Sequence, residues 1–192
     1  MTGKCTAIWP PSCVLESRER SQLERLASEV IELATRHHYA QWLAIRSILH
    51  GWARSAADGI AEGISWIEEG IKDLRATGAT LTLPFWLALQ AEALHLADRT
   101  PEALEAITEA EARVESSEER WWYAELHRLR GVFLATLGAE ESPIEVSFRE
   151  AIRIAREQKS VSLEKRAEAT YAEYRRQTAS GSGGRGFRLP LW

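Results

Sequence analysis

Cysteine is almost missing from this chain: Cys5 and Cys13 are the only two, and both precede the first patterned segment. They lack a CxxC spacing and have no further ligand types beside them, so they read as ordinary free thiols and not as a metal or redox site. No apolar run approaches the roughly 20 residues that a membrane-spanning helix needs. The opening stretch, MTGKCTAIWPPSCVLE, has one lysine and no clean apolar core. It does not read as a secretory signal, and a cytoplasmic location is the expectation. Basic excess is absent too: 24 Lys and Arg stand against 28 Asp and Glu, for a net charge of -4. Binding to a phosphate backbone calls for the opposite sign, so nucleic acid is not an expected partner. There is no glycine-rich GxxxxGK[ST] phosphate loop, no strand-borne aspartate pair to hold metal ions and no Ser-His-Asp constellation. An enzyme, a cofactor and a metal are therefore not expected.

What is present is helical patterning. The 192 residues are 45% hydrophobic and 27% charged, enough for one domain with a real core or a short repeat array. Strand alternation is nearly absent. Apolar residues recur at i, i+3, i+4 and i+7 in eight segments: 17–37, 39–56, 59–77, 83–98, 101–115, 118–137, 143–158 and 161–177. Thr100-Pro101 and Ser142-Pro143 place a capping hydroxyl before a first-turn proline, and Glu145 would complete a capping box with Ser142. Asp58 is a further cap candidate, and Gly78 and Gly138 sit where a helix ends on glycine. The domain reading is an irregular segment at 1–16, a helical domain at 17–177 and a Gly/Ser-rich tail at 178–192.

Small residues expose a period. Gly51, Ala91 and Gly131 are separated by steps of 40 residues. In the partner helices Gly63, Ala103 and Ile144 step by 40 and 41, as do Gly70, Ala110 and Ala151. The extra residue falls in the loop AEESP, where an insertion is cheap. A glycine inside a helix costs roughly 1 kcal/mol against alanine. Close helix crossing at Gly131, with Ala151 as its opposite number, offsets that cost.

A helix pair with small residues at these places resembles the tetratricopeptide repeat. The match is carried by Ala103, Ile107 and Ala110, by Gly63, Ile67 and Gly70, and by Phe148 and Ala151. The resemblance implies an all-α fold of antiparallel helix pairs in a right-handed superhelical stack of about 3.5–4 pairs. The strings ERWWYAELHRLRG and SFREAIRIAREQKSVSLEKRA, with HGWA and LPFWLALQAEAL, are more specific. They resemble the repeat tail of bacterial proteins that join a class III adenylate/guanylate cyclase domain to an ATPase domain. That resemblance implies a regulatory or partner-binding segment, and none of the family's catalytic residues has a counterpart here.

In such stacks partners lie in the concave groove lined by the first helix of each pair. Counting from the aligned small residues, Trp52, Phe85, Glu92, His95, Glu125 and Arg128 are the expected groove contacts with a protein or peptide. Trp, Tyr and Arg most often carry interface energy. A competing reading puts Trp52 and Phe85 in the core between repeats and the rest on a solvated face. Trp121 and Trp122, adjacent on the predicted helix, and Trp42, Trp66 and Trp86 read as packing residues. His37 and His38 are adjacent and lack the i, i+4 spacing of a metal pair, and His50 and His127, each near a crossing glycine, read as hydrogen-bonded interior or rim groups rather than bases. The first helix, with Leu23, Leu26, Val30 and Leu33 in a row, must be covered, by 39–56 or by a second chain; 161–177 is polar enough to close the other end. A monomer or weak homodimer is expected. The functional expectation is a non-catalytic module for protein–protein interaction. The alternatives are a small-molecule sensor and a fragment of a decayed multidomain gene.

Overall fold

The computed structural model describes residues 39–56, 59–117 and 119–179. They form seven α-helices: α1 (Ala40–Ala56), α2 (Ile60–Ala76), α3 (Leu83–Leu96), α4 (Thr100–Ser116), α5 (Tyr123–Thr136), α6 (Glu141–Glu157) and α7 (Val161–Ala179). No strand occurs among the described residues. The helix predicted at 17–37, the segment 1–16 and the Asp58 cap lie outside them, as does the tail beyond Ala179.

Helix ends follow the sequence signals on one side only. Gly78 and Gly138 adopt φ of 75° and 69°, the left-handed conformation that lets a helix stop without a steric penalty. After α5 the Ala139 amide reaches back to the Leu134 carbonyl at 3.0 Å. Asp98 and Lys159 take the same conformation, φ 58° and 54°, without being glycine. Their following amides close the same bond, Arg99 to Leu94 at 2.9 Å and Ser160 to Ala155 at 2.9 Å. At the N-termini the expected caps do not form. α4 begins on Thr100 itself with no side-chain cap, and the Thr100 hydroxyl lies 3.0 Å from His95 Nδ1 instead. α6 begins at Glu141, ahead of Ser142, and has no capping box. α5 begins at Tyr123, so Trp121 and Trp122 form the turn before the helix and do not sit on it.

Packing is densest within α1–α2, α3–α4 and α5–α6, and each even-numbered helix also meets the next odd-numbered one. The odd-numbered helices touch in succession: α1 with α3, α3 with α5, α5 with α7. The glycines explain the closeness of the first pair. A Cβ on Gly51 would stand 2.5 Å from the Gly63 carbonyl oxygen, and one on Gly70 would stand 2.8 Å from the Ala44 carbonyl oxygen. The Gly131 expectation changes partner: a Cβ there would meet the Phe148 ring at 2.7 Å, so the space opposite Gly131 is filled by an aromatic ring. Fully buried Ile48, Ile67, Leu87, Ile107, Leu129, Phe133 and Phe148 make a continuous core through the row of helices. Trp42, read as a packing residue, is 55% exposed. Among the described residues no helix is long and apolar enough to cross a membrane.

Candidate functional site

The six expected groove residues separate into three environments. Trp52, Glu92, Glu125 and Arg128 come together as one buried polar chain that runs across the odd-numbered helices. Trp52 on α1 donates its Nε1–H to Glu92 Oε2 on α3 at 3.1 Å. On α5, Arg128 grips Glu125 with two bonds, Nε to Oε2 at 3.0 Å and Nη2 to Oε1 at 2.7 Å. From α7, Arg166 Nη1 reaches Glu125 Oε1 at 3.0 Å, and Thr170 Oγ1 lies 3.4 Å from Arg128 Nη1. The sequence separations of the inter-helix links are 40, 41 and 42 residues; the first two match the steps already seen in the small residues. Glu125 and Arg128 are each 1% exposed. Their side chains are directed at each other, and neither presents a charge at the surface.

The electrostatics of this chain of contacts are uneven. Burial pushes the Glu92 carboxyl up to about 7, with the Glu125 charge adding to the effect against Arg128 and the Trp52 bond. Burial also works against ionised Glu125, yet Arg128 and Arg166 outweigh it and hold this carboxyl below its ordinary value. Arg128 in turn keeps its proton more firmly, because Glu125 overcomes the cost of burial. Two carboxylates and two guanidiniums thus balance only while Glu92 is ionised. The burial of such charges is tolerable because the pairing geometry is good and further hydrogen bonds satisfy it.

Phe85 belongs to a different place. Half-buried, it packs with Trp86, Trp121 and Trp122 at ring separations of 4.7, 5.4 and 5.1 Å. Beside it Trp121 remains 48% exposed, and Leu81 and Val161 are 68% and 60% exposed. Leu81, Trp121 and Val161 lie 40 residues apart, each in or next to the loop that enters an odd-numbered helix. Glu119 ties this end together by accepting from the Thr82 amide at 2.7 Å and from Trp121 Nε1 at 2.9 Å. Thr82 holds φ at 65°, an uncommon conformation for a β-branched residue. His95 is separate again, between Thr100 Oγ1 and the Phe133 ring, 5.0 Å away.

Sequence reasoning missed Arg166 and Thr170. Both sat in a helix read only as a polar end cap. The signal was available: Glu125 to Arg166 is the same 41-residue step that relates Ala110 to Ala151. It also missed a second polar cluster, where His127 Nδ1 lies 3.7 Å from Glu111 Oε1 between α4 and α5. Arg130 takes the other oxygen of Glu111. His127 Nε2 and Glu111 Oε1 are buried without a hydrogen-bond partner among the described residues. Burial drives the His127 ring down to about 4, helped by Arg130 and Arg153 and opposed by Glu150. No group of three or more His, Cys, Asp or Glu side chains among the described residues is placed to hold a metal ion.

No protein-family model matches the chain, and no solved structure matches it. A protein of Rhizobium meliloti (strain 1021), named Uncharacterized protein R02095, is 33% identical to it over 157 residues. The match takes in 80% of this chain but spans 15% of that relative's length.

Proposed function

We propose that this chain is a non-catalytic, tetratricopeptide-like repeat module that binds a protein or peptide as a regulatory segment. The observation that carries the reading is the recurrence of inter-helix links at one period, with Trp52–Glu92 at 40 residues and Glu125–Arg166 at 41. Links of that kind fit helix pairs stacked as repeats, each contacting only its neighbours. The correspondence to a small part of a much longer relative agrees with a segment that serves larger proteins. A place in the repeat tail of cyclase/ATPase proteins remains the proposal for which larger proteins those are.

The binding surface moves away from the expected groove contacts. Trp52, Glu92, Glu125 and Arg128 turn donors and acceptors inward, to one another and to Arg166 and Thr170. The ridge of Leu81, Trp121 and Val161, backed by Phe85 and Trp122, offers exposed apolar and aromatic area at regular spacing. Aromatic anchors of this kind dominate interface energies. A tagged full-length chain should recover a specific protein from a lysate of the source organism, and the double variant Leu81→Ser/Trp121→Ala should lose it. Equal recovery by both would remove the ridge from the reading. Recovery of nothing beyond the tag alone would remove the interaction module itself.

A further inference from the structure

The joint between α4 and α5 differs in chemistry from the joint before it. Where α2 meets α3, Ile71 and Leu87 are buried in the apolar core. Forty residues on, the same two places hold Glu111 and His127. Leu83, buried at the start of α3, is likewise answered by Tyr123 at the start of α5. Apolar residues of similar volume are often at least as stable as a buried ionisable pair, so packing does not account for the exchange. Nor do the two side chains satisfy each other. They are 15% and 11% exposed, and His127 Nδ1 stands 3.7 Å from Glu111 Oε1, beyond hydrogen-bond reach. Glu111 Oε1 and His127 Nε2 remain without a hydrogen-bond partner among the described residues, which costs free energy at a buried site. A place that breaks the pattern of its repeat at such a cost is where function is expected.

The charges around the ring leave no room for a proton on it. The titratable and charged groups of this joint are Glu111 and Glu115 from α4, Tyr123 and Arg130 from α5, and Glu150 and Arg153 from α6. Glu111 gives Oε2 to Arg130, and Arg153 takes both oxygens of Glu150. Two carboxylates and two guanidiniums are thus matched around a neutral imidazole. Burial, helped by Arg130 and Arg153, outweighs Glu150 and holds the ring's proton affinity well below its ordinary value. Acid therefore favours any arrangement in which the ring reaches water. The Tyr123 ring lies edge-on to His127 at 4.6 Å, and Tyr123 directly follows the Trp121–Trp122 turn. Whatever moves His127 out of the joint moves that turn with it.

We propose that Glu111 and His127 form an acid-operated latch: a proton on His127 drives the ring into water, parts the first turns of α5 from α4 and shifts the turn that carries Trp121 and Trp122. The opening is local, because in a stack each helix pair is held mainly by its neighbours and can part at one joint. Hydrogen–deuterium exchange of the full chain near pH 7 and near pH 4.5, corrected for intrinsic exchange rates, tests it. In the wild type, opening of the amides of residues 120–130 should rise by about tenfold or more at the lower pH, while α1 and α2 keep their protection. His127→Leu, which restores the residue type of the preceding joint, should abolish the rise. An equal rise in that variant overturns the proposal. So does a wild type in which residues 120–130 keep their protection, or in which all the helices lose it together. Should circular dichroism show lost helix in His127→Leu, His127→Gln, which keeps polar atoms but takes up no proton, is held to the same comparison. The exchange measurement involves no partner, so failure of the latch and failure of partner capture at the ridge are read separately.

Discussion

Arg128 shows how differently a single residue reads in a string and in a fold. In the sequence, Glu125 and Arg128 are an i, i+3 pair like many on a helix surface, and such surface pairs contribute little. In the structure both are 1% exposed and joined by two bonds. Arg128→Ala should therefore cost about 3–5 kcal/mol, since it takes two bonds from a buried carboxylate and leaves it the one from Arg166. Replacing both partners by apolar residues of similar volume should recover most of that. Urea unfolding of the two variants decides the matter; a loss for Arg128→Ala as small as that of a surface alanine variant would mean the pair is not closed to water. Protons supply a second residue-scale expectation. Glu92, raised by burial to about 7 from an ordinary 4.5, favours the folded state fully below pH 4.5 and loses that contribution as pH rises to 7. His127, lowered by burial to about 4 from 6.5, contributes fully above pH 6.5 and loses it as pH falls toward 4. The two slopes oppose each other between these limits. Glu92→Gln should unmask the histidine, so the variant's urea midpoint falls more steeply than the wild type's as pH drops from about 6.5 to 5. Parallel curves for the two proteins would refute this.

At the scale of the element, helix existence was legible and helix termini only half so. Seven of the eight predicted segments appear among the described residues, and the eighth lies outside them. Period and composition suffice for that, because an amphipathic stripe needs only local spacing. Gly78 and Gly138 marked helix ends correctly, since their left-handed backbone is a local demand. Asp98 and Lys159 make the same turn without a signal in their identity, because the chain's next destination imposes it. The cap at Thr100 failed because His95 engages its hydroxyl, and the one at Ser142 because the helix begins a residue earlier, at Glu141. Glycine inside helices yields a ranked prediction. Gly51→Ala puts a methyl against the rigid carbonyl of Gly63, and Gly131→Ala against the edge of a ring that can shift. The gain of roughly 1 kcal/mol in helix propensity should be overrun in Gly51→Ala by about 1–3 kcal/mol of overpacking, and Gly131→Ala should be milder. Thermal melts of both single variants test the order, and a more stable Gly51→Ala would contradict the close crossing.

Among the described residues, the odd-numbered helices act as a line in which α3 and α5 have neighbours on both sides and α7 has them on one. Amides of α5 should exchange with solvent much more slowly than those of α7, as read by hydrogen–deuterium exchange mass spectrometry. Equal protection would mean that something covers the face of Ala169 and Ala172. By itself the sequence determined that the chain is helical, where most helices run, and that their close contacts recur every 40 residues; each of these is written in local periodicity and residue size. Only the tertiary structure decided what that period is used for. Which face of a helix meets which neighbour depends on how the pairs stack. The sequence therefore could not tell that Glu92, Glu125 and Arg128 turn inward to Trp52 and Arg166, nor that Trp121 stays in water. A charged residue reads the same in a string whether its partner is three residues away on the surface or 41 residues away in the core, and desolvation, which separates the two cases, is a property of the assembled fold.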